Sequence, residues 1–151
     1  MHKVMECVDF KEMLCQVEAG TGPAYVSGQV QRMLERELLL PEEAEAVECE
    51  KIAAFFQHEI GARAAGAENL YKETEFNLLK EIDGTEVMVQ GIIDCYFEEA
   101  DHLILIDYKN SYVNPQKKEE ELERLRGDYA GQIAIYKEAL EVCLLYTSRC
   151  V

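Results

Sequence analysis

The chain has 151 residues, 48% of them apolar, enough for one domain with a real core and too apolar for a disordered segment. Its 30 acidic and 15 basic side chains leave a formal net charge of −15, which argues against binding a polyanion by surface charge alone, since that affinity comes from Lys and Arg on phosphates. No apolar run reaches the roughly 18 residues a membrane helix needs, and no secretory signal opens the chain. The six cysteines are scattered without a C-x-x-C pair, so they predict reduced thiols of a cytoplasmic protein rather than a zinc ribbon or an iron–sulfur cluster.

Val4, Met5, Val8, Phe10, Leu14 and Val17 recur mostly at helical spacing and predict a helical segment over residues 2–17, broken by Gly20-Thr21-Gly22-Pro23. Ser27 is placed to cap a short helix from Gly28 to about Leu39. Pro41 opens a further helix to about Glu59, with acids in its first turns where the helix dipole favours them. Residues 61–69 (GARAAGAEN) read as a loop or short helix. Three strands follow, Leu70–Lys80, Glu86–Phe97 and His102–Lys109, with Asp83-Gly84 as the turn between the first two. Asn114–Arg126 reads as a charged, exposed loop passing into a helix. The last helix, Asp128–Val142, carries Tyr129, Ile133, Tyr136 and Leu140 along one stripe. Residues 143–151 (CLLYTSRCV) do not fit this pattern and read as a non-native tail outside the fold.

The chemistry concentrates in the second and third strands. Asp94 and Asp107 both sit in apolar runs, and Lys109 follows Asp107 on the same face of an extended strand. A hairpin centred between Ala100 and Asp101 sets Asp94 opposite Asp107. Their β-carbons are then roughly 4.5–5.5 Å apart, and the like charges repel. Buried carboxylates need compensation, and a divalent cation such as Mg²⁺ with the Lys109 ammonium supplies it. The residues thus point to a metal-dependent phosphodiesterase site. The plainer reading is a solvent-facing acid pair with Lys109 as its salt-bridge partner.

Helical segments, three strands and a helix, with VQGIIDCYFEE (89–99), LIDYKN (105–110), GQIAIYKEALE (131–141) and His2 in MHKVMECVDF, resemble the RecB-group PD-(D/E)XK nucleases. Over about residues 1–142 the likeness is to the C-terminal nuclease domain of AddA subunits of bacterial AddAB helicase–nucleases. The resemblance implies an α/β, restriction-endonuclease-like core, with a central mixed β-sheet flanked by helices and an N-terminal helical segment, incomplete at both ends. It makes Asp94, Asp107 and Lys109 catalytic. It makes His2, Asp94, Asp107 and the Tyr108 backbone carbonyl metal ligands, has Gln132 and Tyr136 line the site and hold DNA, and adds Glu73 as a further acid. Gln132 and Tyr136 are i,i+4 and share a helix face. Without the family they read as ordinary amphipathic-helix positions, and His2 as an exposed histidine.

The implied activity is Mg²⁺- or Mn²⁺-dependent, exonuclease-type cleavage of DNA single strands delivered by a helicase motor, in double-strand-break repair by recombination. An AddB-type subunit is the implied partner. No iron–sulfur cluster is expected, and no Walker lysine motif is present for ATP hydrolysis. The alternatives are an inactive nuclease fold that binds DNA or protein, a stand-alone RecB-like exonuclease, and an acidic helical interaction domain with no affinity for metal.

Overall fold

The computed structural model describes residues 1–109 and 115–147. The order of elements is α1 (His2–Cys7), α2 (Phe10–Glu18), α3 (Gly22–Glu35), α4 (Pro41–Glu45), α5 (Cys49–Gln57), α6 (Glu59–Gly66), β1 (Leu70–Ile82), β2 (Thr85–Glu99), β3 (His102–Ile106), a 3-10 turn (Pro115–Lys117) and α7 (Lys118–Thr147). The strands hydrogen-bond in the order β1-β2-β3. Among the described residues this sheet is three-stranded and antiparallel, where a mixed sheet was expected: both strand connections are tight turns, and tight turns can only reverse direction. The α/β class stands. No helix among the described residues is long and apolar enough to cross a membrane.

Several boundaries differ from the expected ones for identifiable reasons. The helix over 2–17 is two helices. Val8 is extended, and the Asp9 side chain accepts a hydrogen bond from the Glu12 amide at 2.9 Å, capping α2. α3 begins at Gly22, with Pro23 in its first turn, so Ser27 lies inside the helix and caps nothing. The helix expected from Pro41 to Glu59 breaks after Glu45, where a continuous helix would align Glu42, Glu45 and Glu48 at repelling i,i+3 spacing. Residues 59–66 are helical. α7 begins at Lys118, ten residues before the predicted start, with Glu119, Glu120 and Glu121 in its first turn. It runs through Thr147, into the segment read as a tail; residues 148–151, like Asn110 and Asn114, fall outside the described residues.

The chain forms two compact units. The first, Met1–Glu73 with Asp94–Asp107, holds α1–α6, the start of β1, the end of β2 and β3. Its core is built from Val4, Val8, Phe10, Met13, Ile52, Phe56 and Phe97. Phe10 and Phe56 meet edge-to-face at 4.9 Å, and Phe55 meets Phe56 in the same way at 5.0 Å. α1 is fastened to β1 by one side chain. The Lys72 ammonium donates to the carbonyls of Glu6 (2.5 Å), Val8 (2.9 Å) and Met5 (3.4 Å) and lies 5.1 Å from the Phe10 ring centroid. Those carbonyls end a helix and have no intrahelical partner. Replacing Lys72 with Met strands them and is expected to cost about 2 kcal/mol. Thermal unfolding checks this, and amide exchange of α1 should rise ahead of the other helices.

The second unit, Thr74–Ile93 with the described residues from Tyr108 on, holds the β1–β2 hairpin and α7. Asp83 and Gly84 have φ of 51° and 76°, the left-handed pair a two-residue hairpin turn demands. Phe76 meets Tyr136 of α7 edge-to-face at 5.7 Å, and the Lys80 ammonium pairs with Glu138 at 2.5 Å.

Candidate metal centre and catalytic residues

The β2–β3 hairpin has the register expected from its turn. Cys95 pairs with Ile106, Phe97 with Ile104 and Glu99 with His102. Asp94 stands one residue before the last paired rung and Asp107 one residue beyond it, at the end of β3. Alternation sets Asp94, Tyr96 and Glu98 on one face of β2 and Cys95 and Phe97 on the other, in the core. Asp94 is 7% exposed, the one buried charged residue among those described. A carboxylate so placed needs a positive partner. His2, at the start of α1, brings Nδ1 to 3.5 Å from its Oδ1.

Glu73 joins this pair. One ligand atom from each of His2, Glu73 and Asp94 lies within 4.8 Å of the others. Two features mark Glu73 as held there against local preference. Its φ is 47°, left-handed backbone inside a β-strand, which is costly for a residue with a β-carbon. Its Oε1 is buried without a hydrogen-bond partner. Burial first, then the charge of Asp94, push its carboxyl above the usual glutamate range. An orphaned carboxylate oxygen of Glu73 beside the buried carboxylate of Asp94 and an imidazole is a donor set that fits a divalent cation. The acid carried over by resemblance alone is therefore a member of the cluster. Asp107 is not one of its three members.

In the second unit the structure brings Lys109, Gln132 and Tyr136 together. The Lys109 ammonium donates to Gln132 Oε1 at 2.9 Å, and Gln132 Nε2 donates to the Tyr136 hydroxyl at 2.5 Å. The ammonium also sits 4.5 Å from the ring centroid of Tyr129. The hydrophobic pattern marks Tyr129 only as an apolar stripe position. Its spacing of three from Gln132 on one helix is the signal for a site role. The Tyr108 side chain is buried.

The class to which these residues belong follows from comparison with known proteins. The chain belongs to the PD-(D/E)XK nuclease superfamily, whose family profile matches residues 1–145. It is 38% identical over 153 residues to an ATP-dependent helicase/nuclease subunit of Clostridium novyi (strain NT), a match covering 93% of this chain and 12% of that protein. The corresponding helicase/nuclease subunit of Anoxybacillus flavithermus is 40% identical over 144 residues, covering 93% of this chain and 11% of the relative. That of Alkaliphilus metalliredigens is 41% identical over 133 residues, covering 77% and 10%. The chain thus spans only about a tenth of the length of these relatives.

Proposed function

We propose that the chain hydrolyses phosphodiester bonds of DNA at a divalent cation, Mg²⁺ or Mn²⁺, held by His2, Glu73 and Asp94, with Asp107 and the Tyr108 carbonyl completing the oxygen set. The observation that carries this reading is the cluster of His2, Glu73 and Asp94, with its unpartnered buried oxygen. Bound there, such an ion supplies Lewis acidity to a phosphate oxygen and makes water a better nucleophile at neutral pH.

The chain's own residues do the rest. Lys109 lies two positions after Asp107, so their α-carbons are at most roughly 7 Å apart whatever the backbone does. Gln132 and Tyr129 fix the Lys109 ammonium, which stabilises negative charge developing on the phosphate. Gln132 and Tyr136 offer an amide and a phenol to the nucleotide backbone. With a net charge of −15, the surface does not gather DNA for itself. Delivery as a single strand from a helicase motor resolves that conflict, and the names of the relatives support it. On this reading the chain serves double-strand-break repair in the bacterial cytoplasm beside an AddB-type subunit.

Cleavage of a single-stranded oligodeoxynucleotide tests the proposal. Activity is expected with Mg²⁺ or Mn²⁺, lost in EDTA and lost in Asp107→Ala. Equal cleavage in EDTA, or by the Asp107 variant, would reject the metal mechanism. Calorimetric titration with Mn²⁺ separates this reading from an acidic interaction domain, which would take up no ion.

A further inference from the structure

One strand period from the metal cluster, on the same faces of β1 and β2, two tyrosines lie flat against each other. Tyr71 precedes Glu73 by two residues, and Tyr96 follows Asp94 by two, a distance of roughly 6.8 Å along each strand. Their ring centroids are 4.6 Å apart and their planes 14° from parallel. The Tyr71 hydroxyl donates to Glu98 Oε1 at 3.1 Å, and Asn69 Nδ2 donates to the other Glu98 oxygen at 2.8 Å. The backbones close the same rung, with the Glu98 amide donating to the Asn69 carbonyl at 3.1 Å. The phenol is therefore held at its hydroxyl by Glu98 and along its ring by Tyr96. Tyr71 nevertheless remains 39% exposed.

We infer that Tyr71, backed by Tyr96, is a stacking platform for the base of the nucleotide next to the scissile phosphate. This rests on the nuclease reading of the neighbouring cluster and adds a subsite to it. The net acidic surface weakens electrostatic holding of a strand here. A single strand is held by cations on its phosphates together with aromatic faces under its bases, and the second contribution survives where the first is weak. Beside the cluster, the side chains on this face of the two strands are Tyr71, Tyr96 and Glu98, none of them cationic, and the neighbouring Lys72 is turned to the α1 carbonyls. Stacking is indifferent to the net charge of the surface and needs no release of counterions. It is also tolerant of sequence, because every base has a π-face. A rigid, half-exposed ring at this spacing supplies affinity where the electrostatics cannot. The ligand class is an unpaired nucleobase, since a base inside a duplex has both faces covered.

The test is a ratio, which does not depend on the fraction of protein that folds. The full chain is given oligodeoxynucleotides that carry either bases or abasic tetrahydrofuran residues beside the cleavage position. The base-bearing strand is expected to be cut with a kcat/KM roughly ten-fold higher, mainly through KM. In Tyr71→Leu the ratio falls to about one, and in Tyr71→Phe, which keeps the ring and loses the Glu98 bond, it persists. Equal rates for the two strands, or a ratio unchanged in Tyr71→Leu, would overturn the platform. If neither strand is cut with Mg²⁺ or Mn²⁺, the nuclease reading fails instead. The platform is then judged by fluorescence anisotropy of the same strands in Ca²⁺, where equal affinities for base-bearing and abasic strands would reject it.

Discussion

Asp94→Asn is expected to lower metal-dependent cleavage about a thousandfold, close to 4 kcal/mol of barrier, while leaving the protein at least as stable as before. The two halves of this result have one cause. Asp94 is buried beside Glu73, and its charge helps push the Glu73 carboxyl above the usual glutamate range. Removing one charge removes an oxygen donor from the ion and a repulsion from the fold. The amide has the shape of the acid, so packing is conserved. Oligonucleotide cleavage measures the first half, and thermal unfolding in EDTA measures the second. A variant that melts markedly lower and still cleaves would mean that Asp94 is a structural charge satisfied by His2.

Gly61→Ala is expected to cost about 3 kcal/mol, the upper range for forcing a methyl into a packed interior. For a chain of this size that lowers the midpoint by roughly 6–12 °C. A β-carbon at Gly61 would lie 2.2 Å from the Phe55 carbonyl oxygen and 2.9 Å from the α-carbon of Phe56. These are backbone atoms at the end of α5 and have nowhere to rotate. α6 could accept the methyl only by moving off α5, and Phe56 would lose its seat against Phe10. Circular dichroism on heating checks this. An unchanged midpoint would show that the α5–α6 corner yields without cost.

The parts of the fold legible in the sequence are those with strong local rules. Asp83-Gly84 fixes one hairpin through its backbone requirement, and the short polar link Glu98–Asp101 fixes the register of the other. Helix ends are less legible. The Asp9 cap is present in the sequence, but the hydrophobic pattern runs straight through it and hides the break. The first ten residues of α7 lack an apolar stripe, so periodicity does not reveal a helix that good helix formers sustain. At the site, Asp94 and Lys109 stand out because a charge in an apolar run is conspicuous. Glu73 does not, since alternation of polar and apolar residues in KETEF describes any half-exposed strand. What singles it out is a backbone torsion and the company of residues from α1 and β2, and neither is written locally. Lys72 is invisible for the same reason: its partners are carbonyls, which every residue has.

The left-handed torsion at Glu73 bears on how this protein can change. A glycine there would relieve strain of about 1–3 kcal/mol against an entropic cost of roughly 0.5–1 kcal/mol, so stability alone favours losing the glutamate. Mutational drift without demand for the ion should therefore erode this position early, and laboratory selection for heat tolerance should find it among its easiest gains. On the proposed metal-binding reading, a lineage that keeps the acid here is one in which the ion is still in use.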